Sequence, residues 1–97
     1  MIKKKKIDAK ILYRAILALE TEEECDAFFD DICTYQELES LVQRLEVAFL
    51  LSQGNSYINV NKQTGVSTAT ICRVSKALNY GNGGYSTVIE RLEGNDN

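Results

Sequence analysis

Between Thr34 and Gly54 the chain reads as one long helix whose apolar residues are not confined to one side. Leu38, Leu41, Val42 and Leu45 recur at three- and four-residue spacing, the stripe expected of a helix with one buried face. Val47, Ala48, Phe49, Leu50 and Leu51 then follow without a break and spread around nearly the whole circumference. A helix apolar on every side has to be covered on every side. A chain of 97 residues has few other helices to do this and buries only a modest core by itself. The simplest cover is a partner chain sharing the same core, in a two-fold dimer. The other reading, left open at this point, is that neighbouring helices of the same chain suffice.

The flanking segments also read as helices. Thr34 with Glu37 forms the capping box that opens the long helix, and Gly54 ends it. Upstream, Asp8 is placed to cap a helix carrying Ile11, Leu12, Ala15, Ile16 and Leu19. Thr21 with Glu24 makes a second capping box, ahead of a short helix with Ala27, Phe28, Phe29 and Ile32. Its acidic first turn suits the positive end of the helix dipole. Downstream, the three glycines of NYGNGGYST break any helix, and Ser86 or Thr87 is placed to cap a last short one with Val88, Ile89 and Leu92. There is no proline, and Leu, Glu, Lys and Ala are plentiful, so the expected class is all-α. The expected organisation is a basic arm over 1–7, one domain over 8–93 and a disordered tail over 94–97.

The stretch from Ser56 to Leu78, SYINVNKQTGVSTATICRVSKAL, reads as two short helices around a glycine turn. Val60, Thr64, Val66, Ile71, Val74 and Leu78 can face one small core. Gly65 sits at the reversal, where a residue free to take positive φ is cheapest, and Ser67 follows as an N-cap. The outer face of the second helix carries Thr68, Ala69, Cys72, Arg73 and Lys76, short groups first and cations further along. A helix-turn-helix needs this order, with small or hydroxylic groups near base edges and basic ones reaching phosphates. An ordinary αα-hairpin would carry the same spacing.

Charge separates these two uses. The net charge is −3, but residues 1–19 hold six Lys and Arg against Asp8 alone, and residues 20–46 hold ten acids against Arg44 alone. From Val47 to Ile89 there is no acid, while Lys62, Arg73 and Lys76 all lie there. A surface that faces phosphates has to be free of carboxylates, and this segment is. Candidate DNA-contacting residues are therefore Lys62, Ser67, Thr68, Ala69, Cys72, Arg73 and Lys76. The basic run Lys3–Lys6 is either a solvated tail or an arm that tracks phosphates.

Other chemistries lack their residues. With no histidine, Ser–His, Cys–His and histidine–metal sites are excluded. No glycine-rich phosphate cradle follows a strand pattern, and the acidic run around Glu22–Glu24 lacks the alternating ligands of a calcium loop. Cys25, Cys33 and Cys72 are odd in number and distant from any CxxC spacing, so reduced thiols and a cytoplasmic location are expected. No apolar run is long enough for a signal peptide or a membrane span. The chain is read as a non-enzyme with no catalytic residues, no metal and no cofactor. The rival to DNA binding is a protein-interaction module built on the same two-helix scaffold, with the acidic segment as its working face.

Thr34, LVQRLEVAFLLSQG at 41–54 and ATICRVSKAL at 69–78 resemble the tryptophan repressor (TrpR) superfamily, and within it the YerC/YecD-type proteins. The resemblance covers most of the chain. It implies an all-helical, intertwined homodimer whose helix-turn-helix units enter successive major grooves of double-stranded DNA. It also implies an effector pocket in which Arg44 and Arg73 hold the ligand and Thr34 and Thr70 accompany them. A pair of guanidinium groups suits a carboxylate and an aromatic ring, because it donates in a planar fork and stacks on ring faces. The sequence departs from the family pattern at Val74, where a glycine is usual, at Ala77, where a serine is usual, and at Asp31, where a leucine is usual. A stiff, β-branched Val74 places methyl groups where an indole would lie. L-Tryptophan is therefore expected to bind poorly, leaving either a smaller ligand or none.

Overall fold

The computed structural model describes residues 7–94, so the basic run Lys3–Lys6 and the last three residues lie outside it. Six α-helices make up the described chain: α1 (Lys10–Ala18), α2 (Glu22–Ile32), α3 (Tyr35–Ser52), α4 (Tyr57–Thr64), α5 (Thr68–Tyr80) and α6 (Gly84–Gly94). No strand occurs among the described residues. The fold class is the expected one. The single domain expected over 8–93 meets a chain that divides into two compact units, the boundary falling between Tyr35 and Gln36.

In the first unit, neither α1 nor α2 buries a residue. Asp8 does not cap α1 as expected: Ala9 holds the N-cap position and offers no side-chain bond. Asp8 serves the first turn from one residue further out, its carboxylate accepting from the Lys10 N–H at 3.2 Å. The Thr21 box is half as expected. The Thr21 hydroxyl accepts from the Glu24 N–H at 3.1 Å, but the Glu24 carboxylate reaches back to the N–H of Glu20 at 2.7 Å, not to that of Thr21. The extended backbone of Thr21 turns the preceding N–H toward the helix, where the longer Glu side chain meets it. Phe28 and Phe29 pack edge to face, ring centroids 5.5 Å apart.

The second unit holds the core. Val47 and Ala48 of α3, Val60 of α4, Val66 of the turn, Ile71 and Val74 of α5 and Ile89 of α6 are all buried together. Phe49, Leu50, Leu51, Leu78 and Tyr85 pack around them. The apolar run in the second half of α3 is thus largely covered within the unit. The first half is not: Leu41, Val42 and Leu45 remain 36–48% exposed. Gly54, with φ of +91°, ends α3 as the sequence suggests. The Asn55 N–H returns to the Leu50 carbonyl at 3.2 Å and the Gly54 N–H to that of Leu51 at 3.0 Å, satisfying the helix's last carbonyls.

The last helix starts earlier than expected. Ser86 and Thr87 lie inside α6, and the first helical bond runs from the Thr87 N–H to the Gly83 carbonyl at 3.0 Å. The Thr87 hydroxyl donates to the same carbonyl at 2.9 Å, so it supports the first turn from within. At the other end α6 includes Gly94, one residue of the stretch read as a tail.

Candidate nucleic-acid interface

Gly65, Val66 and Ser67 join α4 to α5. Gly65 takes φ of +72°, the left-handed region that only glycine enters without strain. Its N–H closes α4 on the Asn61 carbonyl at 2.8 Å. Side chains then lock the turn. Thr64 donates to the Val60 carbonyl at 2.7 Å and accepts from the Val66 N–H at 3.1 Å. Asn61 donates its amide to the Val66 carbonyl at 2.8 Å. Thr64, expected among the core residues, is half-buried instead, because its hydroxyl serves this turn. Ser67 caps α5, its hydroxyl accepting from the Thr70 N–H at 3.2 Å and donating to the Thr70 hydroxyl at 3.1 Å.

Burial on α5 falls at Ile71, Val74 and Ser75, with Leu78 half-buried, so one face of the helix is turned inward. At 3.6 residues per turn the opposite face carries Ala69, Arg73, Lys76 and Tyr80, with Cys72 at its edge. All five are exposed. Lys62 is exposed in the last turn of α4 and Thr68 in the first turn of α5. Among the described residues, Lys62, Arg73 and Lys76 make no ion pair, leaving their charges available to an outside partner. A rigid two-helix unit thus displays short side chains near the start of α5 and unpaired cations beyond them.

Two of the residues singled out from sequence serve the protein's own structure. The hydroxyl of Ser67 is engaged as the cap, so reaching a base edge would compete with that bond. Val74 is 2% exposed and belongs to the core beside Ile71. Of the remaining positions suggested for an effector, Arg44 is exposed on α3 and Thr70 is half-buried on α5, while Thr34 belongs to the first unit. Sequence reading passed over Tyr80, which is 85% exposed one turn beyond Lys76. Extending the four- and three-residue spacing of Ala69, Arg73 and Lys76 by one step would have found it. A row of amides leading into α4 was also passed over: Asn59 donates to the side-chain oxygen of Asn55, two residues before the helix, at 2.9 Å, and Gln63 lies 3.5 Å from the same atom.

The sequence model of the family described as Trp repressor protein matches residues 8–93, across both units. The protein YerC of Bacillus subtilis strain 168 is 51% identical over 82 residues, which is 84% of this chain and 79% of that protein. Among solved structures, a TrpR-like protein from Eubacterium eligens is 49% identical, with a TM-score of 0.84 over 87% of each chain. A second crystal structure, from Staphylococcus aureus and assigned provisionally as a Trp repressor, is 46% identical with the same TM-score, over 87% of this chain and 84% of that one. This chain therefore belongs to the Trp repressor family, and within it to the YerC type.

Proposed function

We propose that this protein is a cytoplasmic, sequence-specific regulator of transcription that binds double-stranded DNA through α4 and α5. One observation carries the reading: the outward face of α5 holds unpaired cations within a segment that has no acid from Val47 to Ile89. Thr68, Ala69 and Cys72 lie toward base edges, with Ser67 at the start of the helix. Lys62, Arg73 and Lys76 bind phosphates. Membership of the Trp repressor family supports this use of the unit. No catalytic role is assigned to any residue.

The working form is a homodimer. Leu41, Val42 and Leu45 of α3 and Val88 and Leu92 of α6 are apolar side chains left 36–48% exposed in one chain. An open apolar groove lined by Leu45, Ala77, Tyr85 and Val88 adjoins them. Burying such surface contributes about 25 cal/mol per Å², and a second copy offers it the same surface in return.

L-Tryptophan is not a tight effector of this chain. Val74 is already part of the core, and swinging its methyl groups aside for an indole would open a hole beside Ile71. Arg44, Arg73 and Thr70 then hold a smaller carboxylate or nothing. Titration calorimetry of the dimer is expected to show no heat of saturable binding with L-tryptophan. Micromolar binding lost in Arg73→Ala would restore the corepressor model.

Selection from a random duplex library at low salt tests the function itself. The expected result is an enriched sequence with two related half-sites. A protein that enriches none, yet captures a protein partner through the acidic residues 20–46, is the interaction module and not the regulator.

A further inference from the structure

Ser75 is the one buried polar residue among those described, 8% exposed on the inner face of α5 between Ile71 and Leu78. A buried hydroxyl needs partners, and this one has two. Tyr57, the first residue of α4, donates its phenolic O–H to Ser75 Oγ at 2.6 Å. Asn79, one turn along α5, donates its amide to Ser75 Oγ at 3.3 Å and to the Ser75 carbonyl at 2.9 Å. Among the described residues, the Tyr57–Ser75 bond is the only side-chain hydrogen bond between the bodies of α4 and α5. Everything else that joins them is either apolar packing, which is non-directional, or a bond within the turn itself.

Its placement gives it leverage. The two helices diverge from the turn at Gly65–Ser67, and the bond ties them about 10 Å from it along each axis, seven residues into each helix. A tie at the open end of a hinge fixes the angle far better than one at the vertex. We propose that Tyr57 is a positioning residue: acting through Ser75, it sets the angle at which α5 is presented to DNA and thereby the protein's discrimination between sequences. This rests on the DNA-binding reading above. The phenol touches no base in this role. It removes, before binding, freedom that α5 would otherwise lose on the duplex. Base contacts depend on that angle, whereas non-specific attraction to phosphates does not.

The test uses the full-length chain at 25 °C, with wild type, Tyr57→Phe, Ser75→Ala and the double variant. Each is titrated against the duplex that wild type enriches from a random library and against an unrelated duplex of equal length. Tyr57→Phe keeps the ring and its packing and removes only the hydroxyl. One hydrogen bond's net contribution sets the scale, so each single variant should weaken the enriched duplex roughly 2- to 12-fold. Binding to the unrelated duplex should be unchanged, and the double variant should be no worse than the weaker single one. A Tyr57→Phe protein that melts earlier but keeps full affinity for the enriched duplex overturns the proposal, leaving the bond as a fold staple. Equal losses on both duplexes overturn it in favour of a phosphate contact by Tyr57, and additive losses overturn the route through Ser75. If wild type enriches no duplex at all, the DNA-binding reading fails first and this inference with it.

Discussion

The two halves of this chain use their apolar residues differently. Among the described residues, all seven buried apolar ones, from Val47 to Ile89, belong to the second unit, where four helices and a turn close over them. Helices α1 and α2 bury none, although α1 carries Ile11 and Leu17 more than 80% exposed. The second unit has the composition of a self-sufficient core. The first carries apolar side chains that its own two helices do not bury. The contrast follows from spacing: Val60, Val66, Ile71 and Val74 sit on short elements joined by a tight turn, so they meet locally. The next helix after α1, α2, is of similar length but opens on three acids, Glu22–Glu24, and buries no residue of its own.

The sharpest way to break this comparison is to hollow the second unit. Ile71→Ala removes a fully buried side chain and should cost about 2–5 kcal/mol, read as a lowered midpoint in urea with unchanged slope. Its effect should not depend on protein concentration. In contrast, Ile11→Ser should cost about 1.5–3 kcal/mol only where a partner chain covers that face. Its loss of melting temperature should therefore be largest at high protein concentration and shrink as the protein is diluted. If Ile11→Ser is neutral at every concentration, α1 is a solvated helix and the contrast means nothing for assembly.

Smaller effects sharpen the account of the turn. Gly65→Ala meets no neighbouring atom within 4 Å, so its cost is conformational only, about 1–2 kcal/mol for a left-handed residue. Ser67→Ala should cost about 1 kcal/mol by uncapping α5. Since the Ser67 hydroxyl is engaged at Thr70, that variant should lose stability without losing its preferred DNA sequence. A changed preference would mean the hydroxyl leaves its cap to read a base.

What could be read from sequence was whatever repeats at helical spacing or sits next to a break. Gly54, Gly65, the Ser67 cap and the valines and isoleucine of the core belong to this class, because each is fixed by residues within about one turn. The misses have other causes. The start of α6 at Gly84 was hidden because three glycines in four residues look like a loop and a loop alone. Thr64 was assigned by spacing to the core, but its hydroxyl found a better use in the turn. Tyr57 and Ser75 are 18 residues apart and belong to no periodic pattern, so their pairing exists only in three dimensions. In the candidate interface, the residue types on α5 and the burial of Val74 beside Ile71 were both legible from helical spacing.

The central claim is that the outward face of α5 binds DNA phosphates. It is tested most directly by the salt dependence of affinity for the enriched duplex, compared between wild type and the Arg73→Ala, Lys76→Ala double variant. Each phosphate contact contributes about −0.9 to the slope of log affinity against log salt, so in a dimer the variant should flatten that slope by roughly 3.6. The variant should also bind far more weakly at low salt and melt as wild type does, because both side chains are exposed. An unchanged slope in a folded variant would contradict the account and place the DNA, if any is bound, on another surface.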